Sequence, residues 1–152
     1  MNRTIKFRGL NPKTKGFVYG DLIQTPENKT RIIGFKLGIT EEEYQSYVDY
    51  NVLVDENTIG QYIGSLDINK EEIFEGDILV GNRYPYYSND KLNYVGIVEF
   101  NYSSWKVILK CINKDKLGIS NGLSDTNIDE FGFQNMEIIG NIYQNPELLE
   151  AK

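Results

Sequence analysis

The sequence predicts a mainly β protein: a small barrel-like or sandwich β domain with an N-terminal hairpin and at most one or two short helices. Val, Ile, Tyr and Phe are plentiful, whereas Ala151 is the only alanine. This balance favours strands over helices. Short apolar runs also alternate with turns rich in Gly, Asn and Asp, which is typical of all-β domains.

The first predicted strand, Thr4–Arg8, alternates apolar and basic residues. This alternation places Ile5 and Phe7 on one face and Lys6 and Arg8 on the other, as expected for a half-buried strand. The Pro and Gly residues that come next are typical of a hairpin loop. The elements predicted after the first strand are a loop at 11–16, a return strand at 17–23, a polar loop at 25–29 and a third strand at 31–37.

One helix is predicted, over residues 41–49. Thr40 and Glu43 have the spacing of a capping box, in which two side chains bond the free backbone amides at the start of a helix. The same pattern puts three large side chains on one helical face, namely Tyr44, Tyr47 and Val48.

Short strands are predicted for the rest of the chain, in an order that also occurs in SH3-like barrels. They lie at 52–54, 58–63, 94–100, 105–110 and 137–143, and residues 73–80 are predicted to form a tight Gly turn that enters a strand. Loop-like insertions are predicted at 82–93 and 113–130. In the strand at 105–110, Trp105 is expected to face the core. The sequence has no interdomain linker, so residues 1–152 are predicted to form a single domain. It has a possible N-terminal sub-region at 1–64 and a barrel-like C-terminal sub-region at 65–152.

The chain has no histidine, which excludes several kinds of catalytic site. Triads of Ser, His and Asp and pairs of Cys and His are excluded. With Cys111 as the single cysteine, one chain has no ligand set for a structural zinc and no intrachain disulfide. The sequence therefore predicts a protein that is not an enzyme and holds no cofactor. Catalysis by carboxylates with a hard metal stays open as an alternative.

No segment is predicted to enter a membrane. The longest apolar runs fall well short of the roughly 18 residues that a spanning helix needs, and Met1–Lys6 lacks the apolar run of a signal peptide. These features and the single cysteine predict a cytoplasmic protein.

Charge is spread unevenly along the chain. Residues 1–36 carry eight basic and two acidic residues, a net charge of +6, while the whole chain carries −6. Such a basic end can mark a surface for nucleic acid. It can also cover acidic surface within the chain or across subunits, and we favour this interpretation because a chain with a net charge of −6 repels phosphate at long range.

Three segments together resemble the YopX family of phage and prophage proteins. They are Ile5–Arg8 with Tyr19–Asp21, then Thr58–Gly64 with Asp67 and Ile73–Ile78, and finally Ile138–Leu149. The resemblance implies a phage or prophage origin, a β-rich fold, a setting in the cytoplasm of a host bacterium and self-association. It supplies no catalytic residues.

Two polar segments are candidate sites. Glu75 and Asp77 flank a glycine and could donate oxygens to a hard cation such as Mg²⁺. The favoured interpretation is a turn, in which Gly76 has a positive φ and Asp77 accepts backbone N–H bonds. Residues 141–146 are likewise predicted to be an Asx turn that ends a strand.

The candidate partner-binding residues are Lys6, Arg8, Arg83, Tyr84, Tyr86 and Tyr87. Tyr and Arg dominate interface hot spots, and Pro85 stiffens their loop. The leading hypothesis is a non-enzymatic protein-interaction or self-assembling module, a homo-oligomer or a binder of a host or phage protein. The alternatives are binding of nucleic acid by the basic N-terminal hairpin and a carboxylate-based, metal-dependent enzyme.

Overall fold

A computed structural model describes residues 4–27, 29–39, 44–81, 94–101, 104–111 and 130–149. For residues 37–39, 44–47, 94, 101, 104–111 and 130–131 it describes the backbone alone. The chain divides into two compact units, residues 1–62 and residues 63–152.

The described residues are mainly strands. The strands are β1 (Phe7–Leu10), β2 (Phe17–Gln24), β3 (Thr30–Ile39), β4 (Tyr44–Leu53), β5 (Gly60–Leu66), β6 (Glu72–Phe74), β7 (Asp77–Gly81), β8 (Tyr94–Asn101), β9 (Ser104–Cys111) and β10 (Glu137–Asn141). The helical segments are α1 (Glu130–Phe133) and two 3-10 turns, at Glu56–Thr58 and Pro146–Leu149. The predicted mainly β class is confirmed. No described helix is long and apolar enough to cross a membrane.

The strands form two sheets. One has the order β4-β3-β2-β1-β5-β6 and the other the order β10-β7-β8-β9. Both are open arrays with edge strands, so within the described residues no barrel closes. The pairs β1–β2, β2–β3, β3–β4, β7–β8 and β8–β9 are antiparallel and join strands that follow each other in sequence.

The buried apolar residues of the first unit come from β3 and from the residue after β4. Ile32 is fully buried and Val54 is 5% exposed. Gly9 lies against Val54 so closely that a Cβ at this glycine would be 2.9 Å from the Val54 Cβ. The lack of a side chain therefore lets β1 pack directly on the residue after β4.

The second unit has its own apolar core. Its buried residues come from β5 to β8, from α1 and from the segment before β10, and are Ile63, Ile73, Leu79, Val98, Phe133 and Met136. Ile138 packs against them from β10. The short helix α1 contributes the aromatic side chain of Phe133 to this core.

The predicted helix at 41–49 is wrong, because the chain from Tyr44 onward is strand β4. It pairs with β3 from Ile39 opposite Tyr44 to Arg31 opposite Leu53, with one bulge at Gly34 and Phe35. The aromatic and β-branched residues of this segment are good strand formers. Pairing with β3 over this length outweighs a helical pattern of three residues, because tertiary contacts override local propensity.

The predicted first strand is shifted and its faces are corrected. Thr4–Lys6 is irregular, and the strand begins at Phe7. Ile5, expected inside, is 62% exposed, whereas Arg8, expected outside, is 5% exposed. The apolar and basic alternation predicted the opposite because it could not show that an aromatic ring on β2 receives the Arg8 side chain.

Candidate interaction surface

The polar groups of the turn between β6 and β7 form hydrogen bonds with the protein backbone. Asp77 is 1% exposed, and its Oδ2 accepts the Phe74 backbone amide at 2.8 Å. Gly76 has φ +83°, donates its amide to the Val98 carbonyl at 2.9 Å and accepts the Ile142 amide at 2.9 Å. The predicted turn, with a positive φ at the glycine and a capping aspartate, is confirmed.

A second buried carboxylate holds the loop between β5 and β6. Asp67 is 1% exposed. Its Oδ1 accepts the backbone amides of Asn69 at 2.7 Å and Glu71 at 2.9 Å. Its Oδ2 accepts the amide of Ile138 on β10 at 3.1 Å. This carboxylate therefore ties the loop to a strand that lies far away in the sequence.

The polar segment after β10 is also structural. Asn141 is 6% exposed, and its Oδ1 accepts the amides of Tyr143 and Gln144, each at 3.0 Å. The Asn145 amide donates to the Asn141 carbonyl at 2.9 Å. This is an Asx turn that ends the strand, as predicted.

Removing divalent metal is expected to leave stability unchanged. Among the described residues, no three His, Cys, Asp or Glu side chains are grouped as metal ligands, and Asp77 is buried on a backbone amide. The midpoint of thermal unfolding should therefore move by less than about a degree in EDTA, because a ligand stabilises a fold only by binding it. A fall of several degrees, reversed by Mg²⁺ or Ca²⁺, would restore Glu75 and Asp77 as a metal site.

The first unit offers a surface of a different kind, on one face of β2, β3 and β4. Residues directly opposite each other in a ladder share a face. Ile23 lies opposite Arg31, which lies opposite Leu53, and Phe35 lies opposite Val48. The alternation along each strand adds Tyr19 to this face.

Five large apolar side chains are exposed there. The exposed fractions are 39% for Tyr19, 40% for Ile23, 53% for Phe35, 51% for Val48 and 39% for Leu53. We call these five residues the apolar face. Arg31 lies between Ile23 and Leu53, and the row of Asp21, Ile33 and Asn51 separates that pair from Phe35 and Val48. Several large exposed apolar side chains on one face of a sheet are a feature of interaction sites.

Two basic residues lie above aromatic rings beside the apolar face. The Arg8 guanidinium carbon is 4.4 Å from the centre of the Phe17 ring, and the Lys6 Nζ is 5.7 Å from the centre of the Tyr19 ring. Such cation–π contacts are worth about 0.5–2 kcal/mol, more when desolvated. Because Arg8 is 5% exposed, its guanidinium is not presented to a partner's surface, whereas Lys6 is half-buried.

A groove opens next to the apolar face. It has a volume of about 420 Å³. It is lined by residues from the segment before β1 and from β2, β3 and β4, namely Thr4, Ile5, Lys6, Tyr19, Gly20, Asp21, Ile33, Gly34, Phe35 and Tyr50. We call it the aromatic groove. Its charged groups are one ammonium and one carboxylate, from Lys6 and Asp21.

The groove forms where β2 and β3 separate. Their ladder runs from Gln24 opposite Thr30 to Asp21 opposite Ile33. At the next position, Tyr50 lies against Gly34, and its hydroxyl donates to the Tyr19 carbonyl. The Tyr50 hydroxyl therefore donates a hydrogen bond to a backbone carbonyl of β2 at the point where the β2–β3 ladder ends.

The sequence model described as "YopX protein" matches residues 6–150. The chain belongs to the YopX family. A search of curated proteins finds no match. Among solved structures, the crystal structure of protein EF1440 from Enterococcus faecalis is similar, with a TM-score of 0.57 and 23% identity. The match covers 98% of this chain and 100% of that chain. At 23% identity, this similarity shows a shared fold and nothing further.

In this YopX chain, the three segments of the resemblance have different structural roles. The first contributes Ile5, Lys6 and Tyr19–Asp21 to the aromatic groove. The second and third supply the buried Asp67 and Asn141 to the scaffold of the second unit. Four candidate residues in the loop at 82–93 lie outside the described residues: Arg83, Tyr84, Tyr86 and Tyr87.

Sequence reasoning missed the apolar face. The available signal was strand 17–23, which has apolar residues on both of its faces: Phe17 and Tyr19 on one, Val18 and Leu22 on the other. A strand with apolar residues on both faces either is buried on both faces or presents one of them to a partner.

The net charge is also distributed differently between the two units than the sequence analysis expected. The first unit has eight basic and eight acidic residues, so the net −6 belongs to the second unit.

Proposed function

We propose that this YopX chain is a non-enzymatic protein-interaction module of phage or prophage origin, acting in the cytoplasm of a bacterial host. Its contact surface is the apolar face. The observation that carries the proposal is the exposure of five large apolar side chains on one side of a single sheet. Removing such side chains from water is the main favourable term in protein association.

The partner is a protein, either a second copy of this chain or a host or phage protein. Three features favour protein over nucleic acid. Arg8 is buried over a ring, Lys6 lies over another, and Asp21 places a carboxylate in the adjacent groove. A polyanion must also approach a chain with a net charge of −6.

The test removes two apolar side chains that line the face but not the groove. Ile23→Ser with Val48→Ser keeps the charge and removes hydrophobic contact area. The matched control is Ile68→Ser with Ile139→Ser in the second unit, because these side chains are exposed to similar extents, 53% and 37%, against 51% for Val48 and 40% for Ile23. Both variants should fold, since the changes are on the surface.

The expected result is that the face variant loses its partner and the control keeps it. Affinity purification from the lysogenic host, with nuclease treatment, measures capture of another protein, and sedimentation velocity measures self-association. A fall of about tenfold or more in either is expected, since central interface positions cost more than 1 kcal/mol when truncated. Equal behaviour of the two variants contradicts the proposal. Recovery of DNA or RNA that disappears at raised salt would favour the nucleic-acid alternative.

A further inference from the structure

We propose that the aromatic groove binds a small zwitterion with an apolar body, namely a free α-amino acid with an apolar side chain. The carboxylate of the ligand lies at the Lys6 ammonium, and its ammonium lies at the Asp21 carboxylate. Its side chain lies against the rings of Tyr19 and Phe35. This site goes beyond the proposed function, because it takes a small molecule and does not use the two residues that the face variant alters.

The charges of the groove select a ligand that carries both signs. One ammonium and one carboxylate line it, from Lys6 and Asp21. The Lys6 Nζ is 5.7 Å from the centre of the Tyr19 ring, and an ammonium has three N–H donors, so this contact leaves room for a carboxylate. Asp21 follows Tyr19 by two residues on β2, and both are exposed. A ligand with one charge is attracted by one of these groups and repelled by the other, whereas a zwitterion pairs with both.

The rings of the groove select the apolar side chain of the ligand. Tyr19, Phe35 and Tyr50 all line it, and they are 39%, 53% and 36% exposed. Ile33, which is 8% exposed, adds an aliphatic side chain to the lining. Contacts between aromatic rings add to the gain from apolar burial, so phenylalanine is the amino acid that suits this lining best.

The backbone of the groove is shaped for an apolar group. A Cβ at Gly20 would lie against the Ile33 carbonyl oxygen. A Cβ at Gly34 would overlap the ring of Tyr50, so glycine at this position gives the ring its place. The Tyr50 hydroxyl donates to the Tyr19 carbonyl, so an apolar side chain beside them leaves neither group without a hydrogen bond. The volume of about 420 Å³ lies in the lower part of the range for small-molecule sites.

The experiment titrates the isotope-labelled full chain with L-phenylalanine and follows the backbone amide signals by NMR. The signals of Gly20 and Gly34 should shift saturably. Three blocked compounds test the charges: phenylalaninamide lacks the carboxylate, N-acetylphenylalanine lacks the ammonium, and N-acetylphenylalaninamide lacks both. Each single block should weaken binding about two- to fivefold, as expected for one exposed ion pair. The double block should weaken it about tenfold, because the two pairs are separate.

Single substitutions assign each end of the ligand to a residue. Lys6→Gln should bind phenylalanine and phenylalaninamide equally, and Asp21→Asn should bind phenylalanine and N-acetylphenylalanine equally. The matched controls are Lys13→Gln, in the loop after β1, and Glu27→Gln, in the turn before β3, which remove the same charges from exposed positions outside the groove. Both controls should keep the preferences of the unaltered chain. Phe35→Ala should weaken binding of phenylalanine about five- to tenfold, the effect of losing a contact between aromatic rings.

Three results would overturn the zwitterion proposal. They are a lack of saturable shifts at Gly20 and Gly34, equal binding of all four compounds by the unaltered chain, and unchanged preferences in both charge variants. Equal binding of all four compounds would show that the groove recognises the ring alone. Partner capture that still depends on Ile23 and Val48 would leave the proposed function standing in each of these cases.

Discussion

Asp67→Ala is expected to lower the free energy of unfolding by about 3–5 kcal/mol. The carboxylate is 1% exposed and accepts three backbone amides, those of Asn69, Glu71 and Ile138. Each buried donor left without an acceptor costs about 1–3 kcal/mol. The expected cost is smaller than the sum of three full penalties, because Asn69 and Glu71 are exposed residues whose amides water can partly reach.

The control for Asp67 is another aspartate that accepts local amides but lies at the surface. Asp55 accepts the Asn57 amide at 3.1 Å at the start of a 3-10 turn, and it is exposed. Asp55→Ala should cost about 1 kcal/mol, as for an ordinary capping residue.

Urea unfolding gives both free energies, and hydrogen exchange of the Ile138 amide reports the contact with β10. The exchange of that amide should accelerate in Asp67→Ala and stay slow in Asp55→Ala. Equal costs for the two variants would show that the buried bonds of Asp67 contribute no more than a surface cap.

Gly20→Ala is expected to lower the free energy of unfolding by about 2–4 kcal/mol. The residue has φ +152°, where L-amino acids are strained by about 1–3 kcal/mol. Its new Cβ would also meet the Ile33 carbonyl, which is backbone and cannot rotate away. The substitution therefore combines backbone strain with overpacking.

Gly64→Ala separates these two causes. Gly64 has φ +88°, but nothing lies within 4 Å of the position of its Cβ. Its replacement should cost about 1 kcal/mol, from backbone strain alone. If both variants lose the same stability, close packing against Ile33 is not what requires glycine at position 20.

The turn residues show how far sequence alone could predict this protein. The sequence predicts turns at Gly76 with Asp77 and at Asn141 with Asn145, and the structure confirms both. These are interactions over two to four residues, where the identity of the residue determines the available backbone conformations. Local chemistry was therefore enough to interpret these carboxylates and amides as structural.

The segment 44–53 and Arg8 show where sequence reasoning failed. Whether Tyr44, Tyr47 and Val48 share a helical face or alternate along β4 depends on β3, which is a separate strand. Whether the Arg8 guanidinium faces water depends on Phe17, which lies across a hairpin. Both outcomes rest on contacts between elements, and a single sequence does not encode these contacts in any local pattern.

The sequence by itself determined the mainly β class, the positions of most strands, the structural turns and membership of the YopX family. These follow from backbone preferences of individual residues and from the order of specific segments. Only the tertiary structure decided which apolar residues are exposed and that β2 and β3 separate beside Gly20 and Gly34. The physical reason is that burial and groove shape depend on strand order and register. One residue of shift moves a side chain to the opposite face of a sheet.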